Sequence, residues 1–315
     1  MWEAAPSRWS HPETILVATD LSDLDHLMPF ALDQALNSGA RIVLLHALSA
    51  ASAFTADAAG MPYYDTAGAL DIADHRMHPW CEAAARAGIH CAALAREGHA
   101  AQQIASAARQ FHADCVLLGT RSRGRLGKLL VGSVAEQVLR SVNLPVITVG
   151  PEAHLPVARG EERVVLYATT FRETSRPSAA LACQLAAAQK ARLVLLHVLP
   201  PMAEMVRQGL PTGVDSAAMA ELRLLAEQAG AGCCAGVEPA VAHGNPAIEI
   251  LALAAERRAS LIVLAAAQHS AFEYLMRDHT VYRVLAHARC PVLTLREPRP
   301  VADEMRAEAA SSRSS

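Results

Sequence analysis

Ile15-Leu-Val-Ala-Thr-Asp20 returns 150 residues later as Val165-Leu-Tyr-Ala-Thr-Thr170. Three more pairs follow in the same order. Arg41-Ile-Val-Leu-Leu-His46 returns as Arg192-Leu-Val-Leu-Leu-His197, and Asp114-Cys-Val-Leu-Leu118 as Ser260-Leu-Ile-Val-Leu264. Val138-Leu-Arg-Ser-Val-Asn-Leu-Pro-Val146 returns as Val284-Leu-Ala-His-Ala-Arg-Cys-Pro-Val292. Four ordered matches make the chain two copies of one unit, each the size of a domain.

Short apolar runs within each copy read as strands buried on both faces. In the first copy they are Thr14–Thr19, Arg41–Leu45, Ile89–Ala95, Asp114–Leu118 and Pro145–Val149. Amphipathic stretches of helical length separate them. Ser22 with Asp25 predicts a capping box for the first helix, and Asn37-Ser38-Gly39 predicts its end. In the second copy Pro177 fits a first helical turn behind Thr174 and Ser175, and Asn245-Pro246 opens a later helix in the same manner. Alternation of strand and helix predicts an α/β fold with a mostly parallel sheet and right-handed crossovers.

The 315 residues are 52% apolar, 19% charged and 4% aromatic, with a net charge of -3. This is a globular composition whose core rests on Ala, Leu and Val. The charge gives no footprint for a nucleic-acid partner. No run reaches the ~18 apolar residues of a membrane span, and no signal peptide is legible at the start. A cytoplasmic protein without a membrane partner is expected. Seven scattered cysteines, two of them adjacent at Cys233-Cys234, read as reduced thiols. The expected organisation is an N-terminal tail (1–12), a first domain (13–150), a linker (151–162), a second domain (163–296) and a C-terminal tail (297–315).

The segment Leu118-Gly119-Thr120-Arg121-Ser122-Arg123-Gly124, running on to Val131-Gly132-Ser133-Val134, follows the fourth strand of the first copy. Small residues at a strand's carboxyl end allow close approach of a ligand to the backbone. A helix start after it favours phosphate, through free N–H groups and the helix dipole. Ser133 can add a hydroxyl, or it can form an ordinary capping box with Glu136. No Walker pattern is present.

The segment resembles the pattern Gly-x2-Gly-x9-Gly-(Ser/Thr) of the universal stress protein family. Gly119, Gly132 and Ser133 match, and Ser122 stands at the second glycine. The resemblance runs through both copies. It includes Thr19-Asp20, His46-Ala47 and Gly98-x5-Ile104. It implies two Rossmann-like domains of the adenine nucleotide alpha hydrolase type, each with five strands in the order 3-2-1-4-5. A ligand would then lie between the first and fourth strands. The resemblance also implies ATP, or AMP or ADP, in the first domain, with or without magnesium. Ala18, Thr19 and Asp20 would face the ribose or adenine, Ala47 the adenine, and Leu118, Gly119 and Ser122 the sugar and loop. Gly132, Ser133 and Val134 would face the phosphates.

In the second copy Asp20 becomes Thr170, Gly119 becomes Ala265 and Ser122 becomes Gln268. Gly132 becomes Asp278 and Ser133 becomes His279. A carboxylate in the phosphate position repels phosphate, so this copy is expected not to bind ATP. The family's pairing through the last strand implies contact of Pro145–Val149 with Pro291–Leu295, either between the two copies or between two chains.

Plainer readings stand beside these. Asp20 also suits a strand-end turn, and Arg121, Arg123, Arg125 and Lys128 suit a solvated loop. His46 and His197 read as hydrogen-bonded strand-end residues. Asp71, Asp74, His75 and His78 share one helical face, as metal ligands or as polar surface. Function divides three ways: a nucleotide-binding regulatory module with little or no catalysis, a structural module acting through pairing, or a hydrolase or transferase, which fold alone does not support.

Overall fold

The computed structural model describes residues 6–49, 54–56, 62–120, 132–158, 160–171, 175–207, 213–230, 234–266 and 279–296. The first copy runs α1 (Pro6–Ser10), β1 (Thr14–Thr19), α2 (Leu24–Ser38), β2 (Arg41–Leu48), β3 (Phe54–Ala56) and β4 (Pro62–Tyr64). It continues with α3 (Thr66–Arg86), β5 (Cys91–Glu97), α4 (Ala100–Gln110), β6 (Cys115–Gly119), α5 (Ser133–Ser141) and β7 (Val146–Val149). The second copy runs β8 (Val164–Thr169), α6 (Ser175–Ala188), β9 (Arg192–Leu199), α7 (Met202–Arg207) and α8 (Val214–Gln228). It ends with β10 (Val237–His243), α9 (Pro246–Glu256), β11 (Leu261–Ala266), α10 (His279–His287) and β12 (Val292–Arg296).

Strands of near-continuous apolar sequence can lie only where both faces are covered. In β1, Ile15 and Val17 join one core with Leu27, Met28 and Ala31 of α2 and Met77 of α3. Leu16 and Ala18 join the other core with Ile104 and Ala107 of α4 and Val138 of α5. The order β5-β2-β1-β6-β7 is the expected 3-2-1-4-5, and β10-β9-β8-β11-β12 repeats it. Within each copy all pairs of this large sheet are parallel, while β3 and β4 form a separate antiparallel hairpin.

The last strands meet. β12 pairs antiparallel with β7, placing Val292 opposite Thr148, Leu293 opposite Ile147 and Thr294 opposite Val146. Of the two expected ways to use these edges, the chain pairs its own copies, and one sheet of ten strands results. Both cores cross the seam, so each face of the sheet carries one continuous apolar layer. Arg163, at the entry to β8, grips Asp33 of α2 with two hydrogen bonds of 2.8 and 2.6 Å.

Several local expectations need correction. Ser22 does not cap α2. The helix begins at Leu24 after Asp23, because Asp20 Oδ1 takes both the Ser22 N–H (2.8 Å) and hydroxyl (2.7 Å) into a turn. Ser133 is the first residue of α5 behind Gly132, which makes no side-chain cap, and Glu136 pairs instead with Arg140. The third strand is Cys91–Glu97 rather than Ile89–Ala95, since Gly88 at φ 79° is still turning the chain after α3. Ser175 lies inside α6 rather than before it, and Thr174 falls outside the described residues. Gly39 does end α2 in the left-handed conformation. Asn245 does cap α9, accepting from Ala247 N at 3.1 Å and Ile248 N at 3.4 Å.

Candidate functional site

The carboxyl ends of β1, β2 and β6 lie side by side, with Ala18 opposite both Leu45 and Leu118 in the register. The sheet order reverses beside β1, so the crevice between β1 and β6 is the switch point where open α/β sheets bind ligands. Thr19 shapes one wall. Its hydroxyl accepts from Leu21 N at 2.9 Å and donates to Asp23 Oδ1 at 2.6 Å. Leu21 takes φ 69° in that turn. Arg76 of α3 donates to Leu21 O at 3.0 Å and holds the turn from outside. His46 Nδ1 meets Thr19 O at 3.0 Å, so this histidine is a buried strand-end residue.

Gly119 supplies the other wall. A Cβ there would come within 2.8 Å of Asp23 Oδ2, so glycine is what lets β6 pass this carboxylate. Asp23 is only 7% exposed. Desolvation raises its carboxyl above the ordinary 3.8, and the neighbouring Asp20 charge adds to the effect. The sequence reading missed Asp23. No local pattern singles it out, because its burial comes from β6.

Gly132 brings the start of α5 to the same place, with Thr120 O as the neighbour at 4.0 Å from a Cβ built on it. The N–H groups of Ser133, Val134 and Ala135 open the helix and have no intrahelical acceptor by position. The Gly132 backbone is extended and adds no side chain in front of them.

The expected site residues therefore separate into kinds. Asp20, Ser133 and Val134 are exposed, and Ala47, Gly119 and Gly132 are half-buried at the mouth. Ala18, Thr19 and Leu118 are buried. Ala18 and Leu118 side chains belong to the core, and the Thr19 hydroxyl is committed to the turn. Those three can present only backbone to a ligand. Ser122, with Arg121, Arg123, Gly124, Arg125 and Lys128, lies outside the described residues.

The second copy repeats the turn but furnishes it differently. His197 Nδ1 meets Thr169 O at 2.9 Å, and Phe171 N donates to Thr169 Oγ1. Phe171, in place of Leu21, lays its ring 4.0 Å from that of His197. Burial pushes the His197 imidazole down. Val198 replaces Ala47 and Ala265 replaces Gly119, so bulk is added on three sides. Gln268 and Asp278 lie outside the described residues, as does the side chain of His279.

Asp71, Asp74, His75 and His78 do not form a metal centre. His75 meets Asp71 at 3.6 Å and His78 turns to Glu82 at 3.3 Å, all four exposed, and no group of three metal-ligating side chains occurs among the described residues. A cavity of about 850 Å³ lies at the linker, between Asp33, Arg163, Glu152, Arg258 and Arg289. It sits at the amino ends of β8, β11 and β12, the wrong end of a parallel sheet for a ligand. Among the described residues no helix is long and apolar enough to cross a membrane.

An α/β chain with this sheet order and a crevice at its switch point has a Rossmann-like fold. The family model for the universal stress protein family matches residues 12–150 and again 162–296, and the chain belongs to that family. A universal stress protein from Thermus aquaticus, described by its place in a QAH/OAS sulfhydrylase 3' region, is 32% identical over 139 residues. That match spans 44% of this chain and 98% of the relative. A universal stress protein structure from Archaeoglobus fulgidus covers 91% of this chain and 99% of its own at a TM-score of 0.65 and 20% identity. A functionally unknown protein from Pseudomonas aeruginosa covers 92% and 95% at 0.62 and 15% identity. These likenesses establish the fold along nearly the whole chain.

Proposed function

We propose that the first copy, residues 13–150, binds an adenine nucleotide, ATP or AMP, and works as a regulatory binding module with slow hydrolysis at most. The second copy, 163–296, serves as its structural partner across the seam. The observation that supports this most is the start of α5 at Gly132, which has no side-chain cap and lies beside Thr120 O, one residue past the end of β6 at Gly119. Three helix N–H groups there face the end of the sheet that family members of this fold keep for ligands. The Ala47 backbone would meet the base, and Asp20 the ribose. Magnesium, if carried by the nucleotide, would stay with its phosphates at the start of α5. No paired general base and acid is assembled beside the loop among the described residues, which supports binding over efficient turnover.

Calorimetric titration with ATP and magnesium tests the reading, beside Gly132→Asp, which copies Asp278. Micromolar binding at one site per chain, about -8 kcal/mol, lost in the variant, is the expected result. No heat and an unchanged melting curve at millimolar ATP would refute nucleotide binding and leave the pairing module as the function.

A further inference from the structure

Cys81 on α3 and Cys91 on β5 bring their sulfurs to 2.7 Å, both half-buried and neither bonded to another cysteine. The approach is built by the turn between them. Ala87 N donates to Ala83 O and Ile89 N to Ala84 O, and Gly88 at φ 79° reverses the chain. The end of the helix is thereby folded back onto the first residue of the strand. Buried apolar neighbours Met77, Ala84 and Ile89 fix α3 against the sheet, so the two thiols are held together in the folded state.

We propose that Cys81 and Cys91 are a reversible dithiol–disulfide site that locks α3 onto the edge strand β5 when a peroxide is present. Cys81 sulfur attacks one peroxide oxygen: an S–O bond forms, the O–O bond breaks, and the departing hydroxide takes a proton to leave as water. Cys91 sulfur then attacks the sulfenic sulfur of Cys81: the S–S bond forms, the S–O bond breaks, and a second water leaves. Two thiols lose two electrons and two protons, and one peroxide becomes two waters. The hydrogen bond between the thiols lowers Cys81 and raises Cys91, which favours Cys81 as the first attacker. The remaining described thiols offer no such pair. Cys115, Cys183 and Cys290 are buried and Cys234 is half-buried. Burial pushes Cys115 and Cys290 up to about 12.

Trypsin makes the test direct. Cleavage after Arg76, Arg86 and Arg96 places Cys81 and Cys91 on separate peptides, Met77–Arg86 and Ala87–Arg96. The full chain is treated with hydrogen peroxide, alkylated in denaturant, digested and analysed by mass spectrometry. The expected product is the two peptides joined, separable by dithiothreitol, with a higher unfolding midpoint for the oxidised chain that dithiothreitol reverses. Cys81→Ser and Cys91→Ser should each abolish the joined species. Recovery of both peptides singly at peroxide doses that oxidise Cys234 overturns the proposal. So does joining of either to a peptide carrying another cysteine. A joined product with a lowered midpoint overturns the locking role. The result does not depend on whether a nucleotide binds.

Discussion

Removing the Asp33 carboxylate should destabilise the two copies together. Arg163 is 8% and Asp33 17% exposed at the side chain, and they share two hydrogen bonds of 2.8 and 2.6 Å. The hydrogen bond to Asp33 raises the Arg163 guanidinium above its ordinary value. After Asp33→Ala, that guanidinium stays enclosed with Val157 O, at 3.2 Å, as its remaining described acceptor. A pair on the surface is worth about 0–1 kcal/mol, whereas stranding one partner of a buried pair costs about 3–5 kcal/mol. The burial of Arg163 decides for the second regime, and the slight exposure of Asp33 sets the expectation near the lower end, about 3 kcal/mol. The double variant Asp33→Leu, Arg163→Met should recover most of it, because neither charge then remains to be solvated. Urea denaturation supplies the assay with two probes. Trp2, Trp9 and Trp80, the chain's three tryptophans, all lie in the N-terminal part. Trp80 on α3 reports the first copy and Trp9 on α1 the contact with α6, so a chain keeping Trp80 alone supplies the first-copy fluorescence, while far-UV circular dichroism reports both. Coincident transitions, shifted together, are expected from cores that cross the seam. A loss below about 1 kcal/mol, as for an exposed pair, or two separated transitions would refute the argument.

Two further outcomes concern the crevice. Because burial raises the Asp23 carboxyl above 3.8, the native state holds its proton where the unfolded chain has lost it. Stability from this group is therefore full below 3.8 and falls as pH rises through the folded value. Asp23→Asn should melt higher than the parent at pH 7, with the gap closing toward pH 4; a gap that widens on acidification would contradict the burial argument. Gly119→Ala must push against Asp23 Oδ2 at 2.8 Å, at an overpacking cost of about 1–3 kcal/mol. It should also weaken ATP roughly tenfold, equivalent to about 1.4 kcal/mol. Unchanged melting and unchanged affinity together would show that the wall yields without consequence.

The strands were legible because burial on both faces leaves the sequence no choice but unbroken apolar runs. Thr14–Thr19 is found residue for residue, and the repeat of Arg41-Ile-Val-Leu-Leu-His46 carries two strands with the same partner order. Helix starts were less legible, since Ser22 and Ser133 carry the right side chains for caps but a nearer acceptor, or the backbone itself, takes precedence. The tail 1–12 read as plain polar sequence. Yet α1 packs on α6, where the Ser10 hydroxyl donates to Gln184 at 3.2 Å. That contact spans the two copies, and no local pattern encodes it. Asp23 was illegible for a related reason: its burial is created by β6, almost a hundred residues away. The hairpin of β3 and β4 pairs Phe54 with Tyr64 and Thr55 with Tyr63, in a stretch whose Ala and Gly content gave no strand signal.

Antiparallel contact between β7 and β12 has a geometric consequence. The carboxyl ends of β1, β2 and β6 point one way along the sheet, and those of β8, β9 and β11 point the other. Two identical subunits joined in this manner obey a two-fold axis, so every substitution appears at both poles. Here the poles are encoded by separate stretches of one chain. A change at Thr170 or Phe171 leaves Asp20 and Leu21 untouched, and the molecule has a front and a back that can be altered one at a time.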